Sequence, residues 1–252
     1  MKWYSDDTPK GSADYSNRET YRRRVETQLV QWRTAWQDTE LFICAETMLE
    51  TQARDAVSAL RRELDAYIMR QPDFLTSLSP IEPLPDAPDV VAAMCRAGKA
   101  AGVGPMAAVA GAFAAHVGQV LLQFSPRVVV ENGGDIWMKT GGPSTVAVYA
   151  GSSPLSMKLG IVVDATRPVS VCTSSGTVGP SLSFGKADAA VVVSRDACLA
   201  DACATRLGNE IKTEQDIAAA VELICNIPGV IGALAVKGEA CGAAGNIELK
   251  AL

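Results

Sequence analysis

The feature that most constrains this chain is residues 100–126, AAGVGPMAAVAGAFAAHVGQVLLQFSP, which contain no Asp, Glu, Lys or Arg. By length such a run could cross a bilayer. Its bulk, however, is Ala and Gly, which carry little transfer free energy, and His116, Gln119 and Gln123 interrupt it. A helix apolar on every side is also what the centre of a water-soluble fold requires. The run is therefore read as a core helix begun by Pro105, with small side chains that let neighbours approach its backbone closely. Around it, 48% hydrophobic and 20% charged residues in a chain of 252 provide material for a sizeable core and argue against intrinsic disorder.

The charge balance excludes further classes. The net charge of −5, without a long Lys/Arg run, does not suit nucleic acid, which needs a dense cationic surface. His116 is the one histidine, so multi-histidine metal centres are excluded and acid–base chemistry falls to His116, carboxylates or thiols. The seven cysteines, Cys44, Cys95, Cys172, Cys198, Cys203, Cys225 and Cys241, form no C-x-x-C pair and no disulfide framework. The polar N-terminus lacks the apolar core of a secretory signal, so a reduced, cytoplasmic setting is expected, with no membrane partner.

Residues 1–17 read as a loose leader and 18–252 as one α+β domain. Alternation over 21–45 predicts a β-hairpin, and residues 51–70 place Ala53, Ala56, Val57, Leu60, Leu64, Tyr67 and Ile68 on one helical face. Pro72, Pro80, Pro83, Pro85 and Pro88 mark 72–88 as an ordered crossing or linker, followed by a short helix over 89–99. Strands are expected at 127–131, 135–139, 145–149, 157–164, 169–172 and 187–194. Residues 196–207 read as a helix terminated by Gly208 or Asn209, and Thr213–Asp216 as a capping box for the next helix. Two last strands, 230–237 and 246–252, are expected to flank a glycine-rich turn. Helices covering a mixed sheet complete the architecture.

Four segments could carry chemistry. Asn132-Gly133-Gly134-Asp135 is either a hairpin turn or a glycine turn that lets a ligand press on the backbone, with Asp135 as acceptor or metal neighbour. Residues 173–185 gather Thr173, Ser174, Ser175, Thr177, Ser181 and Ser183 around Gly176, Gly179 and Gly185 without an acidic residue. Such a stretch is a polar connector or a cradle for phosphate. Asp201 and Thr205, four apart on a helix, share a face: either a solvated face or hard oxygen donors for Mg²⁺ beside a phosphorylated ligand. Cys172 ends an apolar strand, as a buried core thiol or as a nucleophile stabilised by the following loop. His116, mid-helix among Ala and Val, reads as a core histidine.

Taken together, AGVGPMAAVAGAFAAHVG (101–118), VENGGDI (130–136), CTSSGTVGPSLSFGKADA (172–189) and LADACATRLGN (199–209) resemble a bacterial and archaeal family of the ApbE-like superfamily. The similarity runs from about Tyr21 to the C-terminus. Better-known relatives are the FAD:protein FMN transferases, which use Mg²⁺ to split FAD and attach its FMN phosphate to a threonine of a target protein. The resemblance implies a T-fold-like α+β architecture of antiparallel or mixed sheets packed with helices. It implies that Asn132, Gly133, Gly134 and Asp135 border a flavin site, that Asp201 and Thr205 bind Mg²⁺, and that Ser175-Gly176 open a ligand loop. FAD or FMN, or another small phosphorylated ligand, is then the expected cofactor. Two positions depart from the transferases: residues 177–185 contain neither histidine nor carboxylate, and Ala110 stands where they carry a lysine. The expected function is a divergent Mg²⁺-dependent transferase or hydrolase lacking the transfer histidine. The alternatives are a sulfur-assimilation protein using Cys172 and a non-catalytic binding or assembly module; a homodimer is plausible from the small-residue content.

Overall fold

The computed structural model describes residues 28–37, 39–177 and 184–252. The expected leader, the first part of the expected hairpin, Ser181 and Ser183 lie outside them.

The chain opens with the hairpin β1 (Val30–Trp36) and β2 (Thr39–Ala45). Helix α1 (Glu50–Arg70) follows and buries the face its periodicity marks, from Ala53 through Leu60 and Leu64 to Ile68. The proline-rich segment is an ordered crossing that contains one short helix, α2 (Asp73–Thr76). It is tied to α1 where the Leu84 N–H donates to the Tyr67 hydroxyl at 2.9 Å and Gln71 Nε2 donates to Glu82 O at 3.1 Å. Helix α3 (Asp89–Ala101) leads to a 3-10 turn, Pro105–Ala108, and on to α4 (Val109–Leu121). Pro105 opens this stretch as expected, because its missing N–H and fixed φ suit a helix start.

Strands β3 (Val128–Asn132), β4 (Asp135–Lys139), β5 (Pro143–Ala147), β6 (Leu159–Asp164), β7 (Val169–Ser174) and β8 (Ala189–Ser194) come next. Helix α5 (Ala197–Glu210), the capped helix α6 (Ile217–Cys225) and strands β9 (Val230–Lys237), β10 (Ala240–Gly245) and β11 (Glu248–Ala251) complete the fold. The capping box at Thr213 and Asp216 is present, with both reciprocal hydrogen bonds.

An eight-stranded sheet in the order β1-β2-β3-β4-β7-β8-β9-β10 forms the middle layer, and a three-stranded sheet, β11-β6-β5, lies on one face. Every strand pair among the described residues is antiparallel, so the sheet is not mixed. One core packs the helices on Ile43, Val130, Trp137, Cys172, Val192 and Ala235; a second packs Ile161 and Val163 of the small sheet on Val171, Val191, Val193 and Leu234. Successive residues of β7 and β8 therefore serve opposite layers, as strand alternation demands.

The small residues of α4 do what the sequence implies. A Cβ on Gly118 would lie 2.1 Å from Trp137 Cε3, and one on Gly111 would lie 2.5 Å from the Ala197 carbonyl. The helix thus sits directly on β4 and on α5. No single helix among the described residues is long and apolar enough to cross a membrane; α3 and the 105–121 segment pass that test only together and are bent by 104°.

Two expectations fail through glycine. Gly208 does not end α5, which continues to Glu210. The glycine that must stay bare here is Gly185, whose added Cβ would meet the Gly208 carbonyl at 1.6 Å, whereas one on Gly208 itself would find only ordinary contacts, with Ser174 Oγ at 3.6 Å and Ala190 Cβ at 3.7 Å. The residues expected as a glycine-rich turn, ACGAAG, are strand β10, held by its ladder with β9. Their smallness is a packing demand: a Cβ on Gly242 would lie 2.6 Å from Ile217 Cγ2.

Candidate functional site

Helix α5 begins at Asp196, whose Oδ1 accepts the Leu199 N–H at 3.1 Å. Its Ala197, Ala200 and Ala204 are buried, so the helix lies close against its neighbours and carries Asp201 inward. The first turn of α4 rests there, where a Cβ on Gly111 would be 3.0 Å from Asp201 Cβ. Asp201 Oδ2 accepts the Gly111 N–H at 2.8 Å, and the Ala110 N–H also donates to this carboxylate. Asp201 therefore caps a neighbouring helix and meets N–H groups that α4 cannot satisfy internally.

A second carboxylate comes from the sheet. Asn132 and Asp135 face each other across the β3–β4 hairpin, whose two-residue turn has φ of 66° at Gly133 and 115° at Gly134. Left-handed backbone at both positions is what glycine permits without strain. The turn aims both polar residues at α4: Asn132 Nδ2 donates to the Ala110 carbonyl at 3.2 Å. Asp135 Oδ1 accepts the Thr173 N–H of β7 at 3.2 Å. The segment is a hairpin turn whose polar ends are held by Ala110 and Thr173, a geometry with which the ligand-border reading of Asn132-Gly133-Gly134-Asp135 is also compatible.

Asp135 and Asp201 are 7% and 8% exposed. Burial, then the charge of Asp135, holds the Asp201 carboxyl well above the usual carboxylate range; the Gly111 and Ala110 N–H groups pull the other way without cancelling this. No cationic side chain is among the groups acting on it. Two buried carboxylates in mutual repulsion form a place where a cation lowers the energy. Among the described residues no three His, Cys, Asp or Glu side chains gather to cage a metal. The donor set fits a cation such as Mg²⁺, which takes one or two carboxylates and completes its shell with water and phosphate oxygens. Thr205, half-buried, lies one turn beyond Asp201 on α5.

Cys172 lies at the same junction, with Sγ 3.9 Å from the Ala197 carbonyl. Its thiol is pushed far above the ordinary range by complete burial, then by Asp135 and Asp201. Burial beside two carboxylates keeps the proton on sulfur, which favours the core-thiol reading of Cys172 over the nucleophile. His116 lies about 8 Å further along α4 than Gly111 by helical rise. It is half-buried and so sits at the edge of the core rather than inside it; burial lowers its pKa while the charge of Glu63 on α1 opposes the shift.

The stem of the β7–β8 loop also departs from expectation. The Gly176 N–H donates to Ala187 O at 2.9 Å, and the Thr177 N–H to Ser175 Oγ at 3.1 Å. Ser175 Oγ lies 3.4 Å from Ala187 O, and Thr177 Oγ1 donates to Asp188 Oδ1 at 3.0 Å. The Thr173 N–H is held by Asp135, and Ser174 Oγ lies beside Gly208. The N–H groups of Thr173, Gly176 and Thr177 and the Thr177 hydroxyl are thus bonded within the protein, so these particular donors anchor the stem and are not held open for a phosphate. Asp188, buried at the loop's return, went unnoticed in the sequence, as did the Ala110 and Gly111 amides. An acidic residue flanked by Ala offers no motif, and backbone donors leave no residue signature beyond a small-residue helix start.

The fold has known counterparts. The solved structure of Pseudomonas stutzeri flavinyl transferase ApbE, in its apo form, superposes with a TM-score of 0.54 at 14% identity, over 86% of this chain and 94% of that one. The flavin transferase ApbE from Vibrio cholerae gives 0.55 at 13% identity, over 89% and 97%. At the sequence level, the UPF0280 protein of Methanocella arvoryzae is 42% identical over 204 residues, 80% of this chain and 83% of that protein. The UPF0280 protein of Methanosarcina barkeri is 40% identical over 214 residues, 83% and 84% of the two chains. A family model described as AbpE bacteria matches residues 22–225, and the chain belongs to that family.

Proposed function

We propose that this protein binds Mg²⁺ together with a phosphorylated flavin- or nucleotide-like ligand at Asp201, Thr205 and Asp135, as a divergent transferase or hydrolase. The observation that carries the reading is the buried Asp135–Asp201 pair, brought together from β4 and α5 at the start of α4. Such a pair is costly when both members are ionised, and a cation or a retained proton relieves it. The likeness to flavin transferases supplies the ligand class, and the bordering Asn132–Asp135 turn leaves its glycines free of side chains.

The chain's own groups have definable tasks. Asp201, fixed by the Gly111 N–H, holds its place before any ligand arrives, and Asn132 steadies the Ala110 carbonyl. Asp135 is oriented by the Thr173 N–H. A divalent cation at these oxygens would supply positive charge against a diphosphate. With no histidine between 177 and 185, acceptor activation of the transferase kind has no group there to perform it. The thiol of Cys172 gives the sulfur-handling alternative no support.

Isothermal titration of FAD into the protein, with and without Mg²⁺, tests the reading. Binding that requires Mg²⁺ and disappears in Asp201→Ala is expected. Mg²⁺-independent binding, or unchanged binding by the variant, refutes it.

A further inference from the structure

Asp188 stands between the loop and the rest of the fold. It is buried where the chain returns to β8, and each carboxylate oxygen faces a different partner. Oδ2 accepts the Gly238 N–H at 2.7 Å and lies 3.8 Å from Lys237 Nζ. The Gly238 carbonyl in turn accepts the Ser153 hydroxyl at 2.7 Å, and the Asp188 N–H donates to Val236 O at 2.8 Å. This side is fixed by the β9–β10 turn. Oδ1 accepts the hydroxyl of Thr177, which is exposed, at 3.0 Å.

A threonine hydroxyl has one proton and two lone pairs. An ionised carboxylate only accepts, so the proton of Thr177 is committed to Asp188, and the bond is charge-assisted. Ser175 Oγ lies 3.4 Å from Thr177 Oγ1, which leaves Thr177 one further lone pair to offer outward. A phosphate oxygen, itself an acceptor, gains nothing from it; a hydroxyl or a ring N–H does. The same stem begins at Thr173, whose N–H orients Asp135, so Thr177 follows by four positions the residue that holds one of the two carboxylates.

We propose that Asp188 is a positioning residue that fixes Thr177 as a hydrogen-bond acceptor, so that this position reads a sugar-like hydroxyl or ring N–H of the ligand and not its phosphate. The inference rests on the ligand reading above. Its test compares FAD with inorganic pyrophosphate, each titrated in the presence of Mg²⁺. Thr177→Val and Asp188→Asn should each weaken FAD about five-fold, the loss of one hydrogen bond. The double variant should be no weaker than either, and Thr177→Ser should bind as wild type does. Pyrophosphate affinity should not change in any of them. Because Thr177 is exposed, Thr177→Val keeps the test open if Asp188→Asn fails to fold. Unchanged FAD affinity in Thr177→Val, or an equal loss for pyrophosphate, overturns this inference alone. If wild type binds neither probe, the proposed function itself fails and this inference with it.

Discussion

Replacing Gly118 by alanine should destabilise the protein, against the usual sign of that change. In an exposed helix interior, Gly→Ala stabilises by roughly 0.5–1 kcal/mol through backbone entropy. Here the new methyl would lie 2.1, 2.3 and 2.8 Å from Cε3, Cζ3 and Cδ2 of Trp137. Carbon atoms rest at about 3.5–4.0 Å, so one of the two elements must move by more than an ångström. The indole cannot swing aside, since Trp137 is 2% exposed and β4 is paired on both sides, with Val130 and with Ser170. Overpacking of this kind costs about 1–3 kcal/mol, and a clash this deep belongs at the upper end. After the helical gain is subtracted, roughly 2 kcal/mol of net destabilisation remains, or a Tm lowered by about 4–8 °C for a chain of this size. Calorimetry on Gly118→Ala measures it. Gly142→Ala is the control, because nothing lies within 4 Å of its added Cβ and its φ is not left-handed. Trp137→Phe, which removes one ring of the indole, should recover part of the loss when combined with Gly118→Ala. A Gly118→Ala protein as stable as wild type, or more so, would refute the account of α4 as a helix whose glycines exist for contact.

Three further outcomes follow from the same structure. Asp196→Ala, which removes the side-chain cap from α5, should cost about 1 kcal/mol in urea denaturation, and a change below a few tenths would show the cap to be idle. Burial pushes the thiols of Cys44, Cys198 and Cys203 each up to about 12. A raised folded-state pKa means that the unfolded chain loses these protons first, so stability should fall between about pH 9 and 12 by up to roughly 1.4 kcal/mol per pH unit for each thiol. An unfolding free energy that stays level over that window would contradict the burial. In the native protein, an alkylating reagent near pH 8 should modify the exposed Cys241 first and leave Cys172 untouched until unfolding; rapid labelling of Cys172, read by peptide mass spectrometry, would overturn its assignment as an inert core thiol.

What the sequence disclosed follows from which signals are local. The α1 face, the capping box at Thr213 and Asp216, the proline start at Pro105 and the Asn132–Asp135 turn each depend on residues a few positions apart, and each appears where expected. The errors fall where a glycine answers to a distant neighbour. Gly208 looks like a helix stop, yet the helix runs through it to Glu210 and it is Gly185 that must stay bare against its carbonyl; the ACGAAG stretch looks like a turn, yet its smallness serves Ile217. The site was half legible for the same reason. Asp135, Asp201 and Asn132 stand in recognisable motifs, and the structure gathers them. The loop hydroxyls suggested an anion cradle because composition cannot tell a free donor from one already spent on Ala187 or Asp188.

The most direct measurement is a crystal structure with Mn²⁺ in place of Mg²⁺ and FAD present, read by anomalous scattering. The account predicts one strong anomalous peak bounded by a carboxylate oxygen of Asp201 and the hydroxyl of Thr205, with phosphate oxygens of the ligand completing the shell. A peak elsewhere, or ordered FAD with no metal beside Asp201, would contradict it.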